Sequence, residues 1–309
     1  MPMPILNEKM KEQQGLVISY FGNSVAIETD ERQVIQCHLR RNQDMPVVGD
    51  RVIFQSENKE NGIVKEILPR HSFLLRGSGH GQSKIIAANI DLMVIMMAPL
   101  PVFSQYLLDR YLVAAELLNI QPLIVLNKVD LLSHDEQKQM VDIYLKPYQN
   151  ISYSAILSSI YYEETLRELN SYLKNKTSVF MGPSGVGKSS IIAILTHLQE
   201  SVRVQEVSKK GAGKHTTTAT HLYHLEEGGD LIDSPGVREF SLWQVSEQEI
   251  LAGFREFQAF LGGCKFRDCK HLSEPSCAVQ EAILKGKISK ERFFSYQTLM
   301  KKVMDDKPS

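Results

Sequence analysis

Apolar residues recur along this chain with two different periods, and the change comes near residue 90. Over residues 15–75 they fall in short runs at 16–20, 24–28, 34–39, 50–55 and 62–68. Gly22-Asn23, Thr29-Asp30 and Gly49-Asp50 separate them. Short alternating runs between turn residues read as strands. Five in so short a stretch predict a small closed barrel, with an OB-fold as the leading topology. Residues 70–84 are rich in Gly and Ser and read as a connector. Beyond them strands and helices alternate: a buried strand at 90–98, an amphipathic helix at 105–118, and a strand at 121–126. A helix near 136–145, a strand at 150–154, a helix near 163–173 and a strand at 177–181 follow. Repeated strand–helix units predict a parallel sheet covered by helices on both faces.

The stretch Gly182-Pro183-Ser184-Gly185-Val186-Gly187-Lys188-Ser189 has the pattern G-x-x-x-x-G-K-S. It lies between the strand at 177–181 and an apolar run of helical spacing, the context in which this pattern is a phosphate-binding loop. Glycines let the backbone aim several N–H groups at phosphate oxygens, and the helix that follows adds its positive end. Lys188 is expected at the β- and γ-phosphates, the Ser189 hydroxyl on Mg²⁺, and Ser190 beside them.

Asn127-Lys128-Val129-Asp130 ends the strand at 121–126. A carboxylate there can accept two parallel hydrogen bonds, and guanine offers paired N–H donors on one edge where adenine does not. Asp130 is the expected guanine reader, with Asn127 at the other edge and Lys128 along the ring. Ser154-Ala155 is expected in the loop that meets guanine O6. Gly211-Ala212-Gly213-Lys214-His215-Thr216-Thr217-Thr218 is a hydroxyl-rich loop, and Asp233-Ser234-Pro235-Gly236 ends a predicted hairpin over 220–232. In a nucleoside triphosphatase Asp233 would hold Mg²⁺ through water and the Gly236 N–H would sense the γ-phosphate. One of Thr216, Thr217 and Thr218 would ligate Mg²⁺; Thr217 is taken as that ligand. Ras-like enzymes place a water-orienting Gln after this turn, where Val237 stands here, so His215 becomes the candidate water-positioning residue. Its alternative is a contact to RNA or solvent. N-K-x-D precedes the phosphate loop, the reverse of the Ras order, so the domain is circularly permuted.

Residues 245–260 read as an amphipathic helix capped by Ser246 with Glu249 three residues on. Cys264, Cys269, His271 and Cys277 follow, three thiols and one imidazole in fourteen residues. That set can close a tetrahedral zinc shell with no open position, hence a structural rather than catalytic zinc. Cys37 lies apart and reads as core; His221 and His224 sit in a strand pattern and read as structural. Residues 264–309 carry ten Lys and Arg against six Asp and Glu, a net charge of +4. This excess either meets RNA phosphates or solvates a helix face.

Composition changes this picture little. The chain has 309 residues, 43% hydrophobic and 23% charged, with a formal net charge of −1, so any nucleic-acid contact must be a local patch. In the barrel, Arg32, Arg40, Arg41, Arg51, Tyr20, Phe21 and Phe54 either line such a patch or serve core and solvent. Residues 1–14 are polar and no run is long enough to span a bilayer, so a cytoplasmic protein with no membrane partner is expected.

The combination resembles the ribosome small-subunit-dependent GTPase A family, the RsgA- or YjeQ-like circularly permuted GTPases of bacteria. The likeness runs over nearly the whole chain: Val48-Gly49-Asp50-Arg51-Val52, Leu68-Pro69-Arg70, Ala88-Asn89-Ile90-Asp91, Asp109-Arg110-Tyr111-Leu112, and the nucleotide and Cys/His motifs above. Two departures are Cys37-His38-Leu39-Arg40-Arg41-Asn42, where an Arg-Gly pair is frequent, and Ala193, where Asn is common. The resemblance implies a multidomain protein: a tail at 1–14, an OB-fold at 15–75, a permuted α/β GTPase domain at 76–243 and a small α-helical zinc domain at 244–309. It implies a GTP hydrolase, binding GTP and GDP, that acts late in assembly of the small (30S) ribosomal subunit, contacts its rRNA and is stimulated by it. A monomer is expected. The competing readings are a permuted GTPase of large-subunit assembly and an RNA-binding module in which GTP is structural.

Overall fold

Strand β1, Glu12–Tyr20, is the hinge of the first unit. The computed structural model describes residues 12–39, 44–58, 60–77, 83–196, 220–233 and 245–305. β1 pairs antiparallel with β4, Arg51–Ser56, through its first half and with β2, Ser24–Glu28, through its second. A register shift between Val17 and Ser19 lets one strand serve both edges. β3, Val34–His38, joins β2 antiparallel and β5, Asn61–Ile67, parallel; β5 returns to β4 and closes the ring. This is the OB-like five-stranded barrel expected from the sequence. Val17, Val25, Ile27, Ile35, Cys37, Val52, Phe54 and Val64 fill it. Burial pushes the Cys37 thiol up to about 12, as suits a core residue. Phe54 is core too, Arg32 pairs with Glu28 and Arg51 is exposed. Arg40 and Arg41 lie outside the described residues.

The expected connector at 70–84 is instead half of a hairpin, β6 Phe73–Gly77 with β7 Ser83–Ala88. The apolar runs on either side of its Gly/Ser-rich middle pair. The motifs flanking it meet in one junction. Asp50 accepts from Arg70 Nε and Nη2, both at 2.7 Å, and from the Val47 N–H at 2.8 Å. Asn89 donates to the Gly49 carbonyl at 2.9 Å, and Ser72 Oγ donates to the Ile90 carbonyl at 2.6 Å.

The central sheet runs β10-β9-β8-β11-β13-β12. β8 is Leu92–Met97, followed by α1, Gln105–Leu117, and β9, Gln121–Asn127. Next come α2, His134–Met140, a π-turn at Val141–Leu145, and α3, Lys146–Gln149. β10, Ser154–Ser158, α4, Glu163–Leu173, β11, Thr177–Met181, and α5, Lys188–Leu195, complete the parallel part. β12, His221–His224, is antiparallel to β13, Asp230–Asp233, which lies parallel to β11. β8 shows why both faces need helices. Met93, Ile95 and Met97 face α1 residues Leu108 and Leu112, while Leu92, Val94 and Met96 face Leu169, Leu173 and Ile191 of α4 and α5.

The strand expected at 150–154 lies four residues later. Residues 150–152 form the turn that ends α3, with Ser152 at φ 67°, and the apolar run begins only at Ser154. The helix expected at 245–260 is also broken. α6, Glu247–Ala252, has the expected capping box of Ser246 and Glu249 but stops at Gly253. A Cβ at Gly253 would lie 2.6 Å from a methyl of Val113, so the backbone itself packs on α1 there. A 3-10 stretch at Arg255–Phe260, then α7, Ala278–Leu284, and α8, Lys290–Asp305, complete the chain. Among the described residues no helix is long and apolar enough to cross a membrane.

Candidate nucleotide site and metal centre

Five parallel strand ends converge on one edge of the sheet. Ile95 pairs with Met181, Met97 with Leu126, and Asn127 with Ser158; Asp233 follows the Val179–Ile232 pair. In such sheets ligands bind beyond the carboxyl ends of the strands, and both nucleotide motifs lie there.

The phosphate-loop pattern folds as its chemistry requires. Gly182 at φ 138° passes so close to β8 that a Cβ would lie 2.2 Å from the Met96 carbonyl. A Cβ on Gly187, at φ 98°, would lie 2.4 Å from Asn127 Nδ2. Only glycine admits both the dihedrals and the approach. Lys188 is buried and its ammonium donates to the Gly182 and Pro183 carbonyls, each at 2.7 Å, which holds it across the loop. Ser189 and Ser190 are exposed in the first turn of α5.

Asn127 and Lys128 fasten the second motif to the first. Asn127 is buried, and its Nδ2 donates to the Val186 carbonyl at 2.8 Å. Among the described residues its buried Oδ1 has no partner. The ammonium of Lys128 donates to the Gly185 carbonyl and to the Leu100 carbonyl at 3.3 Å. Asp130 follows on a 3-10 turn and accepts from Ser159 Oγ at 2.6 Å. Ser159 in turn accepts from the Tyr161 N–H at 3.1 Å, so its hydroxyl is fixed toward the carboxylate.

Ser159 corrects one expectation. Ser154 and Ala155 begin β10, with Ser154 opposite Leu123, while Ser158 is the residue opposite Asn127. At ~3.3 Å per residue the expected pair stands roughly 13 Å from the ligand edge. The loop beside Asp130 is Ser158-Ser159-Ile160. The signal lay in the apolar run 155–157, which ends at Ser158. Asp233 stands at the expected edge. His215, Thr216, Thr217, Thr218 and Gly236 lie outside the described residues.

The second cluster is independent of the first. The ligand atoms of Cys264, Cys269, His271 and Cys277 all lie within 4.8 Å of one another. His271 Nδ1 is 3.4, 3.5 and 3.3 Å from the sulfurs of Cys264, Cys269 and Cys277, and the sulfurs of Cys264 and Cys277 are 3.9 Å apart. Zinc at ~2.3 Å from sulfur and ~2.05 Å from nitrogen demands tetrahedral edges of roughly 3.5–3.8 Å. The donor set therefore fits a tetrahedral soft cation in both chemistry and spacing. Burial lowers the pKa of His271, which keeps the imidazole neutral and able to ligate. Around it, Tyr296 stacks edge-on against Phe254 and Phe257 at centroid distances of 5.4 and 5.0 Å.

The unit that carries the Cys/His cluster is tied to α1 by a buried charge that sequence reasoning missed. Arg292 donates Nη1 to Asp109 at 2.7 Å and a bidentate pair to Glu256 at 2.7 and 2.8 Å. Tyr148 donates to the same Asp109 oxygen at 2.6 Å. Burial pushes the Asp109 carboxyl up, and Arg292 with its hydrogen-bonding neighbours offsets only part of that. No signal in the sequence joins residues so far apart.

Comparison with known proteins agrees with this geometry. Residues 67–243 match the RsgA GTPase family model. A small ribosomal subunit biogenesis GTPase of Haemophilus influenzae is 44% identical over 304 residues, spanning 96% of this chain and 87% of that protein. One of the same description from Proteus mirabilis is 46% identical over 295 residues, spanning 93% and 84%. The crystal structure of YloQ, a circularly permuted GTPase, superposes with a TM-score of 0.77 at 30% identity over 98% of this chain and 99% of that one. YjeQ from Thermotoga maritima superposes with a TM-score of 0.76 at 28% identity over 96% and 100%. With its barrel, its permuted sheet and its Cys/His cluster all in their places, the chain belongs to the RsgA GTPase family.

Proposed function

We propose that this protein is a cytoplasmic GTP hydrolase that acts in maturation of the small ribosomal subunit, binds its rRNA and is stimulated by it. One observation carries the guanine-nucleotide reading. Asn127 and Lys128 hydrogen-bond to the phosphate loop itself, so a base-reading carboxylate and a phosphate cradle form one rigid unit. The ribosomal part rests on relatives of matching length that are described as small-subunit biogenesis GTPases.

In this reading backbone N–H groups of 184–187 bind the phosphates. Lys188 exchanges its contacts with the Gly182 and Pro183 carbonyls for phosphate oxygens. Asp130, aligned by Ser159, accepts from guanine, and the 158–160 loop faces O6. Ser189 and Thr217 would hold Mg²⁺, with Asp233 behind it through water; the ion neutralises phosphate charge. Gly236 would sense the γ-phosphate. His215 would orient the attacking water, since Val237 cannot. Ser190 lines the first turn of the helix. The cluster of Cys264, Cys269, His271 and Cys277 would hold one structural zinc. The segment after Asp233 leads directly to α6, so loss of the γ-phosphate would be felt in the metal-bearing unit. The domain limits proposed are 15–75, 76–243 and 244–309, in a monomer.

The test combines two measurements. Co-sedimentation with isolated ribosomal subunits, in a non-hydrolysable GTP analogue, should favour the small subunit. Single-turnover hydrolysis should rise on adding that subunit. Preference for the large subunit, or hydrolysis indifferent to both, would sink the assignment. Asp130→Asn should lose GTP affinity and gain xanthosine triphosphate affinity, because both sides of the hydrogen-bond pattern are then inverted. The stake is about 1.5–3 kcal/mol for a charged hydrogen bond.

A further inference from the structure

Two of the four metal ligands, Cys269 and His271, sit on one short loop that would not hold its shape unaided. His271 has φ 62°, in the left-handed region that a residue with a side chain rarely adopts. At such a reversal neighbouring N–H groups point to the same side and form an anion-binding concavity. Here the anion comes from the chain itself. Glu274 Oε1 accepts from the Lys270 N–H at 2.8 Å, and Oε2 accepts from the Leu272 and Ser273 N–H groups at 2.8 and 3.1 Å. The opposite edge of the loop is also held: Tyr296 donates its hydroxyl to the Lys270 carbonyl at 2.6 Å, and Gln297 Nε2 donates to the Leu272 carbonyl at 3.4 Å. Lys270 itself pairs with Glu247 at 2.8 Å.

We propose that Glu274 is a positioning residue of the metal centre, whose carboxylate fills the concavity of residues 270–273 and fixes Cys269 and His271 in ligand geometry. The inference rests on the zinc reading above. Glu274 is not among the donors grouped within 4.8 Å of one another, which are Cys264, Cys269, His271 and Cys277. With the anion in place, two ligands meet the ion already ordered. Without it, the loop must be ordered at the moment of binding, and affinity falls. Outer-shell partners of this kind typically change metal affinity by about 10- to 100-fold. Glutamine is the informative substitution: it keeps the length but turns an N–H₂ donor toward groups that are themselves donors.

The test uses the full chain loaded with zinc. Transfer of zinc to an excess of a chromogenic chelator should be at least tenfold faster in Glu274→Gln than in the wild type. Glu281→Gln, which alters an exposed carboxylate paired with Lys285, should release zinc at the wild-type rate. Cobalt-loaded Glu274→Gln should keep a tetrahedral absorption spectrum, since the four ligands are unchanged. Should Glu274→Gln not fold, hydrogen exchange in the zinc-loaded wild type decides: the amides of Lys270, Leu272 and Ser273 must be protected. Equal release rates in Glu274→Gln and wild type, or unprotected amides, would overturn the role of Glu274 alone. A wild-type chain that purifies without zinc would overturn it together with the zinc reading.

Discussion

The sheet is gripped at two places, and the two grips are built from different materials. On the barrel side the contacts are polar. Asp50 reaches Arg70, Asn89 reaches Gly49, and Ser72 reaches Ile90. β12 adds His221, whose Nδ1 lies 2.8 Å from Ser19 Oγ, and His224. On the other side, α1 meets the unit that carries the Cys/His cluster through Arg292, Asp109 and Glu256, with Val113 packed in the same apolar cluster as Phe254, Phe257 and Tyr296. Arg292 and Asp109 have side chains 2% and 0% exposed; on the barrel side Asp50 is equally buried at 0%, but its partner Arg70 retains 18%. Polar groups near water can exchange partners with it; buried charges cannot. The barrel junction, with Arg70 in reach of water, is therefore the more adjustable of the two, whereas the α1 junction keeps both of its charges dry.

The sharpest way to break the contrast is to remove Arg292. Arg292→Met leaves Asp109 and Glu256 facing each other in a dry interface, which costs about 3–5 kcal/mol. Urea unfolding of the full chain should show this loss. Arg292→Met combined with Asp109→Asn and Glu256→Gln should recover most of it, because no uncompensated charge remains. A single variant within about 1 kcal/mol of the wild type would mean that water reaches the pair and that the two junctions do not differ in kind.

How much of this was legible in the sequence follows the same division. The barrel, the phosphate loop, N-K-x-D and the metal cluster were readable because each is a local pattern with a local reason. Even the barrel junction left traces, as V-G-D-R, L-P-R and A-N-I-D, although nothing in the letters said that they touch. Errors arose where local signals conflicted. Gly and Ser at 77–83 masked a hairpin whose apolar arms were in view. Residues 150–153 looked extended but close a helix, and that shift moved the loop beside Asp130 from Ser154-Ala155 to Ser158-Ser159. The α1 junction was illegible because Asp109 and Arg292 acquire their meaning only when folding brings α1 and α8 together.

The second prediction sharpens the barrel side. Asp50→Asn keeps the shape and the bond from Val47 but removes the charge that Arg70 grips. Arg70 is partly in water, so its solvent can replace some of what is lost. A loss of about 2 kcal/mol in the same unfolding measurement is expected, smaller than for Arg292→Met. A larger loss from Asp50→Asn than from Arg292→Met would reverse the ranking of the two junctions.

The smallest effect, and the one most specific to an adjustable junction, is its pH dependence. His224 Nδ1 lies 2.6 Å from Asp230, and Nε2 lies 2.8 Å from Glu28 of the barrel, off the direction of the N–H bond. Arg32 lies 2.8 Å from the same Glu28 oxygen and competes for it. Burial opposes the imidazolium, yet Asp230 and Glu28 together raise the His224 pKa to about 9. Burial likewise opposes the Glu28 carboxylate, and His224 and Arg32 more than offset it, so its pKa is lowered. A histidine whose folded pKa exceeds its unfolded value of ~6.5 stabilises fully below that unfolded value. The contribution then fades as pH rises through the folded pKa. At pH 7 the clamp between barrel and sheet is thus closed, and it opens between about pH 8 and 10. Partial exposure of His224 to water reduces the gain to about 1 kcal/mol. The measurement is the stability difference between wild type and His224→Gln at pH 7 and at pH 10, which cancels the titration of every other group. The wild-type advantage should be present at pH 7 and absent at pH 10; a difference that does not change with pH would show that His224 packs at the junction without charging it.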